Sequence, residues 1–215
     1  MSNLLNDEVK QQIKEFLKPM KNSVTMVLFT QEDGPCQTCK ESRELLGEVA
    51  KLSDKVEYSE KDLNKDSDLA NEYGITLTPS FVVLNSEGEY TGVKFNGIPA
   101  GHEINSFLSA LIDMSGITPS FDASVMERIK NIKNKVNIKV FITLSCPHCP
   151  GAVQNAHRIA MLNDNVEGEM IEAQTFGELS QKYNVSGVPK IVINDEHELT
   201  GNQPIEQFLD IMDKL

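Results

Sequence analysis

The sequence predicts an α/β fold built twice, each copy a mixed central sheet flanked by helices, within 215 residues. The first observation is a pair of dithiol motifs, Cys36-Gln37-Thr38-Cys39 and Cys146-Pro147-His148-Cys149, each followed by a proline at the same distance. Cys36 and Pro79 are 43 residues apart, and so are Cys146 and Pro189. The second is register: at an offset of 110 residues Cys36 matches Cys146, Tyr73 matches Tyr183 and Pro79 matches Pro189. The third is order. In each copy strand and helix patterns alternate and then two strands follow in succession, which requires a mixed sheet with helices on its faces. A repeat this long is a whole domain and not a solenoid module. The predicted units are 1–115 and 116–215, divided at the turn-prone stretch Ser115-Gly116-Ile117-Thr118-Pro119.

Taken in order, Asp7 can cap a first helix that carries Val9, Ile13 and Phe16 on one face, and its copy is Asp122 with Val125, Ile129 and Ile132. A β-branched, apolar strand follows, Val24 to Phe29, answered by Ile138 to Ile142. Each runs into its dithiol. The offset between copies falls from 116 at Val9 to 112 at Phe29 and 110 at Cys36, so the first copy has the longer loops. Helical segments come next, Lys40 to Lys51 and Ala152 to Leu162. Polar second strands lie at Val56 to Tyr58 and Glu169 to Ile171, and second helices at Asp68 to Tyr73 and Phe176 to Tyr183. The prolines open apolar strands, Phe81 to Leu84 and Ile191 to Ile193. A turn at Gly88 leads to a last strand, and closing helices carry Ile104, Phe107, Leu108 and Leu111, or Ile205, Phe208, Leu209 and Met212.

Composition excludes several classes. The net charge is -12, with 19 acids against 11 bases in the first unit and 13 against 9 in the second, so neither offers a basic patch for nucleic acid or anionic lipid. No apolar run approaches the ~20 residues of a membrane span, and the first residues lack the pattern of a signal peptide. A cytoplasmic location is expected. A reducing compartment disfavours structural disulfides and points the four cysteines toward catalysis or metal.

The position of the dithiols sets their chemistry. A cysteine between a strand end and a helix start faces unpaired N–H groups and the positive end of the helix dipole, which stabilises its thiolate. Cys36 and Cys146 are therefore the expected nucleophiles. Cys39 and Cys149, one helical turn on, can attack the mixed disulfide and should be the more buried. Pro147 suits a first helical position. His148 can donate to the Cys146 thiolate or add charge, whereas Gln37 and Thr38 bring no charge to the other site. If Thr78-Pro79 and Val188-Pro189 are cis, Thr78 and Val188 present free backbone to a substrate peptide. Two CxxC pairs also suit a zinc-stabilised, non-enzymatic peptide-binding module, but zinc pairs usually lie about 15–20 residues apart. No metal is expected. His157 reads as structural, His102 and His197 as surface, Gly168 and Gly187 as turn glycines, and the cluster Glu57, Glu60, Asp62, Asp66 and Asp68 as a solvated face.

Strand, CxxC, helix and the later Thr78-Pro79 or Val188-Pro189 resemble thioredoxin and glutaredoxin. Two such units resemble the tandem thioredoxin-like protein disulfide oxidoreductases, or glutaredoxin-like proteins, of bacteria and archaea, from about Leu4 to Leu215. The second half is also similar to the N-terminal domain of the alkyl hydroperoxide reductase flavoprotein subunit, whose first copy lacks the dithiol. With Cys36 and Cys39 present and no flavin-binding portion in the sequence, the stand-alone oxidoreductase is the preferred reading. The resemblance implies two tandem thioredoxin-like domains and a thiol:disulfide oxidoreductase that reduces, forms or isomerises protein disulfides without cofactor. It also implies an NADPH-dependent thioredoxin reductase as electron source, or a role as electron donor to a peroxiredoxin. Two departures stand out. Pro35 and Ser145 replace the tryptophan expected before each motif, and Thr30 and Val140 replace the buried acid, which leaves the proton relay for Cys39 and Cys149 open. The Pro-His dipeptide matches strongly oxidising thiol oxidases.

Overall fold

The computed structural model describes residues 4–215; Met1, Ser2 and Asn3 of the expected first unit lie outside the described residues. The first copy runs α1 (Asp7–Leu17), β1 (Val24–Thr30), α2 (Cys39–Ala50), β2 (Val56–Asp62), α3 (Ser67–Glu72), β3 (Ser80–Leu84), β4 (Tyr90–Asn96), a 3-10 turn (Gly101–Glu103) and α4 (Ile104–Met114). The second repeats the order with α5 (Ala123–Lys130), β5 (Val136–Ile142), α6 (Cys149–Leu162), β6 (Val166–Glu172), α7 (Gly177–Lys182), β7 (Lys190–Ile193), β8 (His197–Thr200) and α8 (Ile205–Met212).

Several local expectations are corrected. Asn6, not Asp7, caps α1 by accepting from the Val9 N–H at 2.8 Å; Asp7 and Glu8 then occupy the first turn, where the helix dipole favours negative charge. Phe16 is 43% exposed, because Ile13 and Leu17, four residues apart, hold the buried stripe. Helix α6 begins at Cys149, so Pro147 sits in the turn before it and Pro150 supplies the proline of the first turn. Gly168 is in β6, not in a turn.

The two copies share one eight-stranded sheet, ordered β2-β1-β3-β4-β6-β5-β7-β8. Its seam is the parallel pairing of β4 with β6, from Val93 opposite Gly168 to Asn96 opposite Ile171. One face carries a continuous core to which α1, α2, α4, α5, α6 and α8 all contribute. The other is covered by α3 and α7 over smaller clusters, Val27, Phe29, Tyr73 and Val82 in one copy and Phe141, Ile171, Tyr183 and Val192 in the other. Apolar side chains thus alternate to both faces of β1, as Met26 and Leu28 against Val27 and Phe29, which a sheet buried on both sides demands.

The seam is sealed by polar and apolar contacts. Lys94 Nζ and Tyr90 Oη both donate to Glu167 Oε1, at 2.9 and 2.8 Å, and Asn96 Nδ2 donates to Glu169 Oε2 at 2.9 Å. His157 of α6 lies edge-on to Phe95 of β4, ring centres 4.6 Å apart. Its Nε2 is 3.1 Å from the Lys94 carbonyl, so Nε2 carries the proton. Arg158 of α6 pairs with Asp113 of α4 at 2.8 Å. Glycine is required where backbones meet: a Cβ at Gly168 would stand 2.7 Å from the Ala156 carbonyl oxygen, and one at Gly92, which has φ of 84°, would run into the Val166 carbonyl.

Because β1 is antiparallel to β3, β3 is antiparallel to β4, and β4, β6 and β5 run parallel, β1 and β5 point the same way. Both dithiols therefore open at the same rim of the sheet. Between β1 and β5 there are four strand steps, about 19 Å at ~4.8 Å per step.

Candidate active sites at one rim of the sheet

At the second site Cys146 and Cys149 form a disulfide with Cα atoms 5.6 Å apart. Cys149, the first residue of α6, is fully buried, while Cys146 lies before the helix and is 8% exposed. Pro189 follows a cis bond from Val188, and Cys146 Sγ lies 3.8 Å from the Val188 carbonyl oxygen. The sulfur therefore borders the main chain of the proline loop. Pro147 and His148 are exposed at the mouth.

The first site repeats this plan. Cys36 and Cys39 form a disulfide with a Cα separation of 5.5 Å, Cys39 starts α2 and is 8% exposed, and Cys36 is half-buried. Thr78-Pro79 is also cis, and Thr78 Oγ1 lies 3.5 Å from Gln31 Oε1 in the loop leading to Cys36. Gln37 is exposed and Thr38 half-buried, its hydroxyl without a partner. The order of accessibility, first cysteine over second, holds at both sites. The two cysteine pairs follow strands four steps, about 19 Å, apart in the sheet and so do not converge on one metal ion, and no cluster of three or more metal-ligating side chains occurs among the described residues.

The acidic run expected as a solvated face is partly built into the first site. Asp62 is 9% exposed and accepts from the N–H groups of Glu32, Asn64 and Lys65. Those backbone donors hold its carboxyl below the usual range. Glu60 accepts from Arg43 and from Thr30 Oγ1 at 2.9 Å, the Arg43 bonds holding its carboxyl low. Thr30, in the place of the absent acid, is thus bonded to an acid from the neighbouring strand.

One group escaped the sequence reading. Glu103 is fully buried, its Oε1 has no partner and Oε2 is 2.5 Å from Ser106 Oγ. Burial pushes its carboxyl up to about 7. The turn that carries it belongs to the first copy but serves the second: the His102 N–H donates to the Leu144 carbonyl at 3.0 Å, two residues before Cys146, and the turn packs on α6. The only available signal was an acid standing alone between Glu89 and Asp113.

These features are shared with known proteins. A thioredoxin domain model matches residues 136–213. The F subunit of alkyl hydroperoxide reductase (AhpF) of Staphylococcus aureus is 36% identical over 206 residues, covering 96% of this chain and 37% of that protein. Among solved structures, a protein disulfide oxidoreductase from Aeropyrum pernix superposes with a TM-score of 0.88 at 28% identity, over 96% of this chain and 91% of that one. This chain has the thioredoxin fold in tandem, with a CxxC disulfide in each copy. The N/C domain of Enterococcus faecalis AhpF is equally similar, with a TM-score of 0.90 at 29% identity over 97% of this chain and 99% of that one. The chain spans little more than a third of the length of the curated relative it matches. No helix among its described residues is long and apolar enough to cross a membrane.

Proposed function

We propose that this chain is a thiol:disulfide oxidoreductase that exchanges disulfides with protein substrates at both sites, Cys36 and Cys146 attacking and Cys39 and Cys149 resolving. The observation that supports this best is Cys146 Sγ beside the main chain at Val188, where an extended substrate segment would pair while its disulfide meets the sulfur. The Cys146 thiolate attacks one substrate sulfur, a mixed disulfide forms and one substrate thiolate leaves. Cys149 then loses its proton and attacks Cys146, the second substrate thiolate departs and the Cys146–Cys149 disulfide remains. Two electrons pass to the substrate, and an NADPH-dependent thioredoxin reductase resets the site. Thr78 with Pro79 and Val188 with Pro189 form the substrate platforms. The units are 1–115 and 116–215, and the protein works in the cytoplasm. Insulin reduction with a small dithiol tests the reading: Cys146→Ser should remove most activity and Cys36→Ser less. Equal losses would defeat this hierarchy, and wild-type protein no faster than the dithiol alone would defeat the function.

A second reading, electron donation to a peroxiredoxin, is favoured by the 36% identity to AhpF. Pre-reduced protein should then reduce the disulfide of a purified peroxiredoxin stoichiometrically, and no transfer would eliminate it.

A further inference from the structure

The two sites face the same rim, which invites the idea that one hands electrons to the other. The seam argues otherwise. Disulfide exchange requires an attacking sulfur to reach bonding distance of another, and the dithiols follow strands β1 and β5, which lie four steps apart in the sheet, ~19 Å at ~4.8 Å per step. A hinge between the copies could close that gap. None is available: the copies share paired backbone from Val93 to Asn96 against Gly168 to Ile171, one continuous core, and the Lys94–Glu167 and Arg158–Asp113 ion pairs. The turn carrying Glu103 is also tied to the Cys146 loop through the His102 N–H and Leu144 carbonyl. Closing one site on the other would break the sheet itself. Nor can a long cysteine loop supply the reach, because Cys39 and Cys149 are fixed in the first turns of helices packed into that core.

Resting on the oxidoreductase reading above, we infer that the two dithiols exchange no electrons with each other within a molecule. Each is oxidised and reduced separately from solution. Equilibration between them passes through a second copy of this chain or a mobile dithiol: a reduced Cys36 thiolate of one molecule attacks the Cys146–Cys149 disulfide of another, and Cys39 resolves the intermolecular bond. One disulfide forms as the other opens, with two electrons transferred and protons taken up by the released thiols.

The test follows redistribution in the full-length protein. A substoichiometric pulse of dithiol reduces the faster site, aliquots are acid-quenched and alkylated over time, and peptide mass spectrometry reports the redox state of each pair. Mixing reduced C146S/C149S protein with oxidised C36S/C39S protein gives the purely intermolecular rate. Redistribution in the wild type should slow in proportion to dilution and never exceed the rate of that mixture; absence of redistribution in both also accords with the inference. A wild-type rate independent of concentration, or faster than the mixture at equal site concentration, would overturn it while leaving the oxidoreductase reading intact. Disulfides that resist the dithiol altogether would overturn both.

Discussion

Glu103 and His157 are buried titratable groups at the contact between the copies, and pH acts on them in opposite senses. The Glu103 carboxyl is raised by burial from the ordinary 4.5 to about 7. Between those values the unfolded chain ionises while the native chain keeps its proton, so stability falls as pH rises through that window, by a total on the order of 3 kcal/mol. Glu103→Gln should flatten this limb in urea titrations. A slope equal to wild type would mean the carboxyl ionises freely. The same variant should displace any inflection near neutrality in the pH profile of Cys146 alkylation. His157 is lowered from 6.5 to about 4, burial outweighing its bond to the Lys94 carbonyl. Here the unfolded chain binds the extra proton, so stability is fully present above 6.5 and is lost as pH falls toward 4. His157→Gln should be less stable at neutral pH and lose less on acidification; an unchanged acid limb would place the loss elsewhere. At the mouth of the second site, His148→Thr should raise the Cys146 pKa and lower the reduction potential, by roughly 30 mV for each pKa unit. Glutathione equilibration reads the potential, and no change in either quantity would make His148 a bystander.

At the level of elements, local chemistry carried most of the information. The dithiols mark helix starts, the prolines precede β3 and β7, and Ile13, Val27 and Phe107 fall on buried faces as their periodicities require. What stayed hidden depends on pairs distant in sequence. Nothing in Gly168 alone distinguishes a turn glycine from one in β6 that lets the α6 backbone approach at Ala156. Nothing near Glu60 announces Arg43 and Thr30 as partners, so its acidic neighbourhood looks like a solvated face. Glu103 was illegible for the same reason, since its burial comes from its turn packing against the other copy. The expectation for Gly168 follows from the helix carbonyl in its way. Gly168→Ala should cost about 1–3 kcal/mol, the usual range for forced overpacking, read from the denaturant midpoint. A loss of only a few tenths would mean that α6 can step aside.

For the whole molecule the decisive feature is that duplication ended in one sheet and not two beads on a string. Heat should unfold the copies together, with calorimetric and van't Hoff enthalpies in agreement; two resolved transitions would mean that the seam fails to couple them. The same junction bears on synthesis. Strand β4 ends at Asn96, but its partner β6 is complete only at Glu172, 76 residues later. At about 5–20 residues per second the ribosome takes roughly 4–15 s to deliver it. Throughout that interval a nascent first copy displays the unpaired backbone of β4, a surface on which a neighbouring chain on the same polysome could template. Chaperone demand should therefore peak before Glu172 emerges.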